Sequence, residues 1–288
     1  MTSPAGRTVG EILENATRRL IEAGVPDARA DALALFGHLL GTDCGGVVAR
    51  RPETVDRAVA ERMDALVAAR AARRPLQQIT GHVDFRGLDL VVDEHVLIPR
   101  PETEGLVDAV LEETLPAGAR IADLGTGSGC VAVALAVARP GWRVDAVDVS
   151  SEALAVAERN AARHGVAGRV RTIEGDFARA AVGDAAPYDA VVSNPPYVPE
   201  DEWRGLQEEV RAHEPKLALV PGPTGHEAYA AVAAAAARML LPGGLVALEL
   251  GWTSEPAVRE IVARHGFRAV RTRPDLQGIP RILTARRP

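Results

Sequence analysis

Residues 193–197 read Ser-Asn-Pro-Pro-Tyr and follow Ala190, Val191 and Val192, an apolar run with the composition of a buried strand. Asn194 precedes a proline, which pushes it from helical to extended conformations, and Pro195 fixes its own φ. Neither Pro195 nor Pro196 has an N–H to satisfy a nearby carbonyl. The Asn194 side-chain oxygen and the Pro195 carbonyl are therefore expected to form a rigid pair of acceptors. A planar –NH2 group would supply two matching donors. Its nitrogen is a poor nucleophile while the lone pair is delocalised into a carbonyl or ring. Hydrogen bonds from its N–H groups to two fixed acceptors return electron density to nitrogen and aim it, which is catalysis by positioning and electrostatics. Tyr197 can pack against the planar group. Taken alone, the tetrapeptide reads equally well as an Asn-Pro loop after a strand.

A second stretch, Asp-Leu-Gly-Thr-Gly-Ser-Gly-Cys at 123–130, has the form of a strand end, a glycine loop and a helix start. Gly125, Gly127 and Gly129, with Thr126 between them, let the backbone turn sharply and approach a ligand closely. The G-x-G-x-G spacing departs from the G-x-G-x-x-G dinucleotide fingerprint and lacks the G-K-[ST] ending of a phosphate loop. On the loop alone, nicotinamide, flavin and nucleoside cofactors all remain open. Asp123 narrows the choice, because a carboxylate there repels a pyrophosphate and attracts an ammonium group. That favours S-adenosylmethionine, whose methionine end carries an amine. Asp148, ending the next strand, can accept both ribose hydroxyl protons, and Val149 beside it joins the cofactor set. Asp176 can accept the adenine amino protons, with Phe177 against the ring. Each aspartate alone fits a turn or a helix N-cap; three on successive strand ends beside this loop point to a cofactor site. No metal is expected, since the seven histidines do not cluster at ligand spacing.

The elements that hold these residues are legible in outline. Val9, Ile12, Leu13, Ala16, Leu20 and Ile21 recur at helical spacing, and the stretches 27–41 and 53–74 repeat the pattern, so residues 1–75 are expected to form a small helical domain. Alternation with Gly81 and Gly87 at turns predicts a β-hairpin linker over 76–95. Over 96–288, seven strand-like segments alternate with helical ones, the signature of a doubly wound α/β domain. Its ligands bind outside the carboxyl ends of the strands, which puts Asn194 beside the glycine loop.

The chain has 288 residues, 47% hydrophobic and 25% charged, within the range of globular proteins. A net charge of −6 argues against stable nucleic-acid binding. Cys44 and Cys130 are the only cysteines, the N-terminal residues lack signal-peptide character, and no apolar run approaches the roughly 18 residues of a membrane span. A cytoplasmic monomer is the expectation.

Beyond these single readings, the chain resembles the peptide chain release factor glutamine N5-methyltransferase family (HemK/PrmC type). The likeness runs from the N-terminal helices to the C-terminus and is carried by RPLQQITG at 74–81, VLIPRPETE at 96–104, DLGTGSGC at 123–130, VVSNPPY at 191–197 and HEPKLAL at 213–219. The resemblance implies a Rossmann-like, seven-stranded S-adenosylmethionine-dependent methyltransferase domain, with S-adenosylhomocysteine as product. It implies that the acceptor is the glutamine amide of the Gly-Gly-Gln loop of class 1 release factors, which the N-terminal domain would recognise. Asn194 and Pro195 would hold that amide, Pro196 and Tyr197 would line its slot, and Arg100, Glu102, Thr103 and Glu104 would shape the pockets. The sequence departs from the family's usual aromatic residues at Gln78 and Arg86. Amino methyltransferases acting on nucleic-acid adenine or on a small molecule share the Asn-Pro-Pro-Tyr feature and stand as the alternative.

Overall fold

The computed structural model describes residues 6–177 and 187–288, which divide into two compact units. The first comprises Met1–Gly81 together with Gln207–His213. Its helices are α1 (Val9–Glu22), α2 (Ala28–Leu40), α3 (Cys44–Ala49), α4 (Arg57–Ala71), α5 (Leu76–Thr80) and α9 (Glu208–His213), the last returning from much later in the chain. Thr8 and Glu11 form a reciprocal capping box at the start of α1, satisfying two amides that a helix otherwise leaves unpaired. Leu20, Leu35, Phe36 and Met63 are fully enclosed between α1, α2 and α4, so burial of their apolar faces holds the unit together.

A polar knot ties α9 to this unit. Arg70, 6% exposed, donates to Asp31 at 2.7 Å and to Glu209 at 3.0 Å, and Arg73 donates to the other Glu209 oxygen at 2.6 Å. Burial opposes ionisation of Glu209, but Arg73, backbone amides and Arg70 outweigh it and bring its pKa down to about 2.

The expected hairpin begins later than its sequence pattern suggests. Residues 76–80 are helical, because Pro75 sets the entry and Gly81, at φ 80°, ends the turn in a left-handed conformation. Gln78 is buried and donates to the His213 carbonyl at 2.9 Å, so a polar contact occupies the position where an aromatic side chain is usual.

The second unit, His82–Leu206 with Glu214–Pro288, opens with that hairpin, β1 (His82–Phe85) and β2 (Leu88–Val91). Its two-residue turn places Arg86 at φ 54° and Gly87 at φ 73°. The non-glycine residue is held there by α6 (Pro101–Glu112). Glu104 accepts from the Arg86 amide at 2.9 Å, and Asp108 pairs with its guanidinium.

Seven strands follow: β3 (Arg120–Leu124), β4 (Arg143–Asp148), β5 (Val170–Glu174), β6 (Tyr188–Ser193), β7 (Leu240–Glu249), β8 (Arg268–Pro274) and β9 (Pro280–Arg286). They lie in the order β5-β4-β3-β6-β7-β9-β8, parallel from β5 to β7, with β9 antiparallel to both neighbours. The core clusters place α6, α7 (Cys130–Ala138) and α8 (Ser151–Arg163) on one face and α10 (Glu227–Met239) and α11 (Glu255–Arg264) on the other. Strand residues alternate between the two cores: Ala190 and Val192 pack to one side, Val191 to the other. Apolar cover on both faces is why the central strands read as continuous hydrophobic runs. Strand order reverses between β3 and β6, and the crevice at that reversal is where such sheets bind ligands. Among the described residues no helix is long and apolar enough to cross a membrane.

Glu209→Gln is expected to leave Arg73 without its carboxylate and Arg70 with Asp31 alone, and to destabilise the protein by on the order of 3 kcal/mol in urea unfolding at neutral pH. Because the folded pKa is depressed, the wild type should keep this contribution above pH 4.5 and lose it as pH falls towards about 2. The variant should lack that component of its acid denaturation.

Candidate active site

The glycine loop leaves β3 and folds over the end of β4. The amides of Gly125 and Thr126 both donate to the Val147 carbonyl, at 2.8 and 2.9 Å, and the Gly127 amide donates to Asp148 Oδ2 at 2.9 Å. Gly125, Gly127 and Gly129 all have positive φ, at 74°, 53° and 77°. Gly129 is also a close approach: a Cβ there would lie 2.9 Å from the Ala157 Cβ and 3.1 Å from its Cα, so α8 packs directly on the loop.

Asp123, the next-to-last residue of β3, lies on the face of α7 and is 1% exposed. Its Oδ2 accepts from Thr126 Oγ1 at 2.7 Å and from the Ala132 amide in the first turn of α7 at 3.2 Å. Burial dominates its titration and pushes the carboxyl up to about 7, against those two hydrogen bonds and with the help of nearby Asp148. Burial also raises the Cys130 thiol to about 12, which makes it a packing group and not a nucleophile.

Beside the loop, β6 pairs with β3 and hands the chain to Asn194. Asn194 Nδ2 donates to Thr103 Oγ1 at 3.1 Å. Among the described residues no hydrogen bond reaches Asn194 Oδ1 or the Pro195 carbonyl. Two acceptors are thus available where the prolines were expected to fix them. The Tyr197 ring lies against the backbone at Gly251, where a Cβ would come within 3.0 Å of it, and its hydroxyl points to Glu249 at 3.5 Å. Burial raises the Tyr197 pKa, so the phenol stays protonated.

A cavity of about 40 Å³ is lined by Asp123, Gly125, Thr126, Gly127, Asn194 and Arg100, together with Leu97, Pro99, Thr103, Ser128, Cys130 and Val131. Its volume is the share of one or two water molecules, room for a small terminal group. The structure does not bring every anticipated residue to this cavity. Glu102 is exposed on the first turn of α6, whereas Thr103 beside it faces inward. Pro195, Pro196 and Tyr197 are not among the residues that line the cavity, and Gly129 serves the packing of α8. Asp148, Val149, Asp176 and Phe177 stand outside this cavity, after β4 and β5. Val149 is 42% exposed, and Phe177 reaches to 4.0 Å of where a Gly125 Cβ would be.

Three further polar residues hold the site and were not singled out from sequence. Asn160 of α8, fully buried, accepts from the Val91 amide at 2.7 Å. It donates to the carbonyls of Val91 and of Ser128, at 3.0 and 2.9 Å, fastening hairpin to loop. Glu214, 6% exposed, accepts from Arg100 at 2.6 Å and from the Ile98 amide at 3.2 Å. Glu249 is 2% exposed behind Thr103 and Tyr197. Asn160 and Glu249 interrupt otherwise apolar faces, the one signal that could have marked them.

A doubly wound sheet with this strand order, a glycine loop after β3 and acids at successive strand ends has the architecture of an S-adenosylmethionine-dependent methyltransferase. The family model described as "Methyltransferase small domain" matches residues 103–210, and that described as "PrmC N-terminal domain" matches residues 11–81. A release factor glutamine methyltransferase of Cereibacter sphaeroides is 42% identical over 278 residues, covering 96% of this chain and 98% of that protein. Its counterpart in Chlorobaculum tepidum is 42% identical over 263 residues, covering 88% and 89%. The chain belongs to the release factor glutamine methyltransferase family. Among solved structures, a methyltransferase from Pyrococcus furiosus shares the fold, at 19% identity and a TM-score of 0.51, over 77% of this chain and 96% of its own.

Gly129→Ala should force the loop and α8 apart while adopting a left-handed φ. A loss of roughly 2 kcal/mol or more in urea unfolding is expected, with weakened S-adenosylmethionine binding by calorimetry.

Proposed function

We propose that the protein methylates the side-chain amide nitrogen of the glutamine in the Gly-Gly-Gln loop of class 1 release factors. The observation that carries this reading is a pair of available acceptors on consecutive residues, Asn194 Oδ1, whose residue lines the cavity beside the glycine loop, and the carbonyl of Pro195 next to it in the chain. A primary amide offers two N–H donors in one plane, so it can engage both acceptors at once. Those bonds localise the lone pair on nitrogen, and the rigid Asn-Pro backbone aims it. Pro196 and Tyr197 would form the wall of the slot, the flat face of the ring suiting a planar group. Arg100, held by Glu214, also lines the cavity and can receive the acceptor's polar flank.

The residues present fit the cofactor. Asp123 and the loop amides would hold the cationic methionine end, since a buried carboxylate with one oxygen outside its own hydrogen bonds is a site for an ammonium. Asp148 would take the ribose hydroxyls, with Val149, Asp176 and Phe177 around the adenine and Glu102 at the outer edge of the substrate side. When bound, S-adenosylmethionine supplies a methyl carbon made electrophilic by its sulfonium, leaving S-adenosylhomocysteine. The N-terminal helical unit would recognise the release factor, and neither stable nucleic-acid binding nor a further subunit is part of this reading. A cytoplasmic location follows from a substrate that acts in translation.

Two measurements test it. With labelled S-adenosylmethionine, a class 1 release factor should be methylated and a version lacking the Gly-Gly-Gln glutamine should not; equal labelling of both would remove the assignment. In the same assay Asn194→Ala should reduce turnover by about a hundredfold, with cofactor affinity changed by no more than about threefold.

The Asp123 carboxyl gives a separate test by calorimetry. A cationic ligand binds its ionised form, so affinity should weaken by up to about tenfold per pH unit as pH falls below about 7. Asp123→Asn should flatten that dependence.

A further inference from the structure

We propose that Gly251 is a positioning residue that sets where the Tyr197 ring stands and, through the ring, the width of the slot that takes the acceptor amide. The inference rests on the place given to Tyr197 in that slot above and adds the residue that fixes it.

Gly251 lies just past the end of β7, where the chain turns towards α11. It is buried and is not one of the glycines with positive φ, so the backbone there does not call for glycine. Space does. A Cβ at this position would lie 3.0 Å from Cδ2 and 3.3 Å from Cγ of the Tyr197 ring, and 2.8 Å from Ser254 Oγ. Carbon atoms pack best at about 3.5–4.0 Å, so the ring already occupies room that any side chain at 251 would need.

The backbone of the turn is not free to retreat. The Gly251 amide donates to the hydroxyl of Tyr229, a fully buried residue of α10, at 2.9 Å. The Gly251 carbonyl accepts from the Ser254 amide at 3.1 Å, and the Leu250 amide donates to the Arg281 carbonyl of β9 at 2.7 Å. Three hydrogen bonds to three different elements thus hold this turn in place.

The main chain around Tyr197 is pinned as firmly. The Val198 amide donates to the Leu219 carbonyl at 2.9 Å, and the Glu200 amide donates to the Gly222 carbonyl at 3.2 Å. Gly225, at φ 77°, approaches so closely that a Cβ on it would lie 2.6 Å from the Tyr197 carbonyl oxygen. The ring itself is held less by polar contact, its hydroxyl reaching Glu249 only at 3.5 Å, the far limit of a hydrogen bond. Packing against Gly251 therefore decides where the ring stands. With both backbones held and Tyr197 only half-buried, a side chain at 251 would drive the ring aside by a few tenths of an ångström. In this reading the side of the ring away from Gly251 is the wall of the slot, and the same displacement narrows it. An amide that must reach two fixed acceptors and aim its nitrogen tolerates such a shift poorly.

The test is steady-state kinetics on a release factor, with cofactor affinity measured alongside by calorimetry. Gly251→Ala should lower kcat about tenfold, since misplacing a reacting group by about 1 Å can cost about a hundredfold. Affinity for S-adenosylmethionine should change less than about twofold. Tyr197→Ala removes the ring and with it the contact, so the double variant should fall within about twofold of Tyr197→Ala alone. A side chain at 251 that acted through the fold would instead multiply the two losses. Ser254→Ala removes the other close atom without breaking a side-chain cap of α11, and should keep wild-type kcat. Gly251→Ala in that background has the ring left to displace and should still lose about tenfold, which decides the matter if Gly251→Ala alone does not fold. Wild-type kcat in either enzyme, or losses that multiply with Tyr197→Ala, overturns the proposal.

A second readout needs no substrate. The chain has three tyrosines, so protein made with meta-fluorotyrosine gives fluorine signals from Tyr188, Tyr197 and Tyr229 alone, and Tyr197→Phe identifies the one of interest. In Gly251→Ala the Tyr197 signal should shift, while that of Tyr188, at the opposite end of β6, should stay fixed. An unmoved Tyr197 signal rejects the proposal whatever the kinetics show. A wild type that methylates no release factor defeats the functional reading alone, and the fluorine shift still decides whether Gly251 sets the ring.

Discussion

The carboxyl end of the sheet is organised around one constraint: a carboxylate, Asp123, buried at the end of its central strand. An isolated charge there would be prohibitive, so the chain surrounds it with donors that need no water. Thr126 comes back from the loop and Ala132 donates from the first turn of α7. Meeting both demands the tight return of 125–129, which only residues tolerating positive φ can make. The same return sets the Gly127 amide on Asp148, so the two acids share one loop. Glycine spacing, helix start and acid placement are therefore a single solution and not three coincident features.

The arrangement is costly to the fold, and the sign of the cost is informative. Asp123 and Glu249 both have folded pKa values of about 7, above their ordinary 3.8 and 4.5. Groups shifted upward bind protons more tightly when folded. Their burial costs nothing below the ordinary values, and the cost grows as pH rises through the window to about 7. At roughly 1.4 kcal/mol per unit, each removes a few kcal/mol of stability where it is ionised. Neighbouring clamps offset this. Asn160 binds hairpin and loop with three hydrogen bonds, and Glu214 fixes Arg100 and the Ile98 amide. Stability is concentrated in the residues around the site so that the site itself can hold charges poised near neutrality.

Sequence reached the parts of this design that rest on local chemistry. The prolines, the positive-φ glycines and the alternating strand and helix patterns act on their own backbone, so the fold class, all seven strands of the sheet and the adjacency of Asn194 to the loop were readable in advance. Residues 76–80 went the other way, because an alternating pattern five residues long does not separate a strand from one helical turn, and Pro75 and Gly81 decided it. Contacts made across the fold were hidden for a different reason. Thr103 and Asn194 are 91 positions apart, and nothing near either names its partner. Glu102 and Thr103 stood together as candidates, yet helical geometry turns the first outward and the second inward. Nothing within HEPKLAL marks Glu214 from sequence, yet it is the residue that grips Arg100.

The choice of an amide as acceptor also follows from what the site withholds. An amine would need a base to strip its proton before attack, whereas what the chain sets at Asn194 and Pro195 is a pair of acceptors that no donor occupies among the described residues. A primary amide is neutral and carries its lone pair already, spread over the carbonyl. What it lacks is localisation of that pair and a fixed direction, and two oriented acceptors supply both without moving a proton beforehand. The site therefore invests in rigidity where an amine methyltransferase would invest in basicity: an Asn whose NH2 is bonded to Thr103 and whose oxygen is left open, and a carbonyl that prolines leave without a local donor.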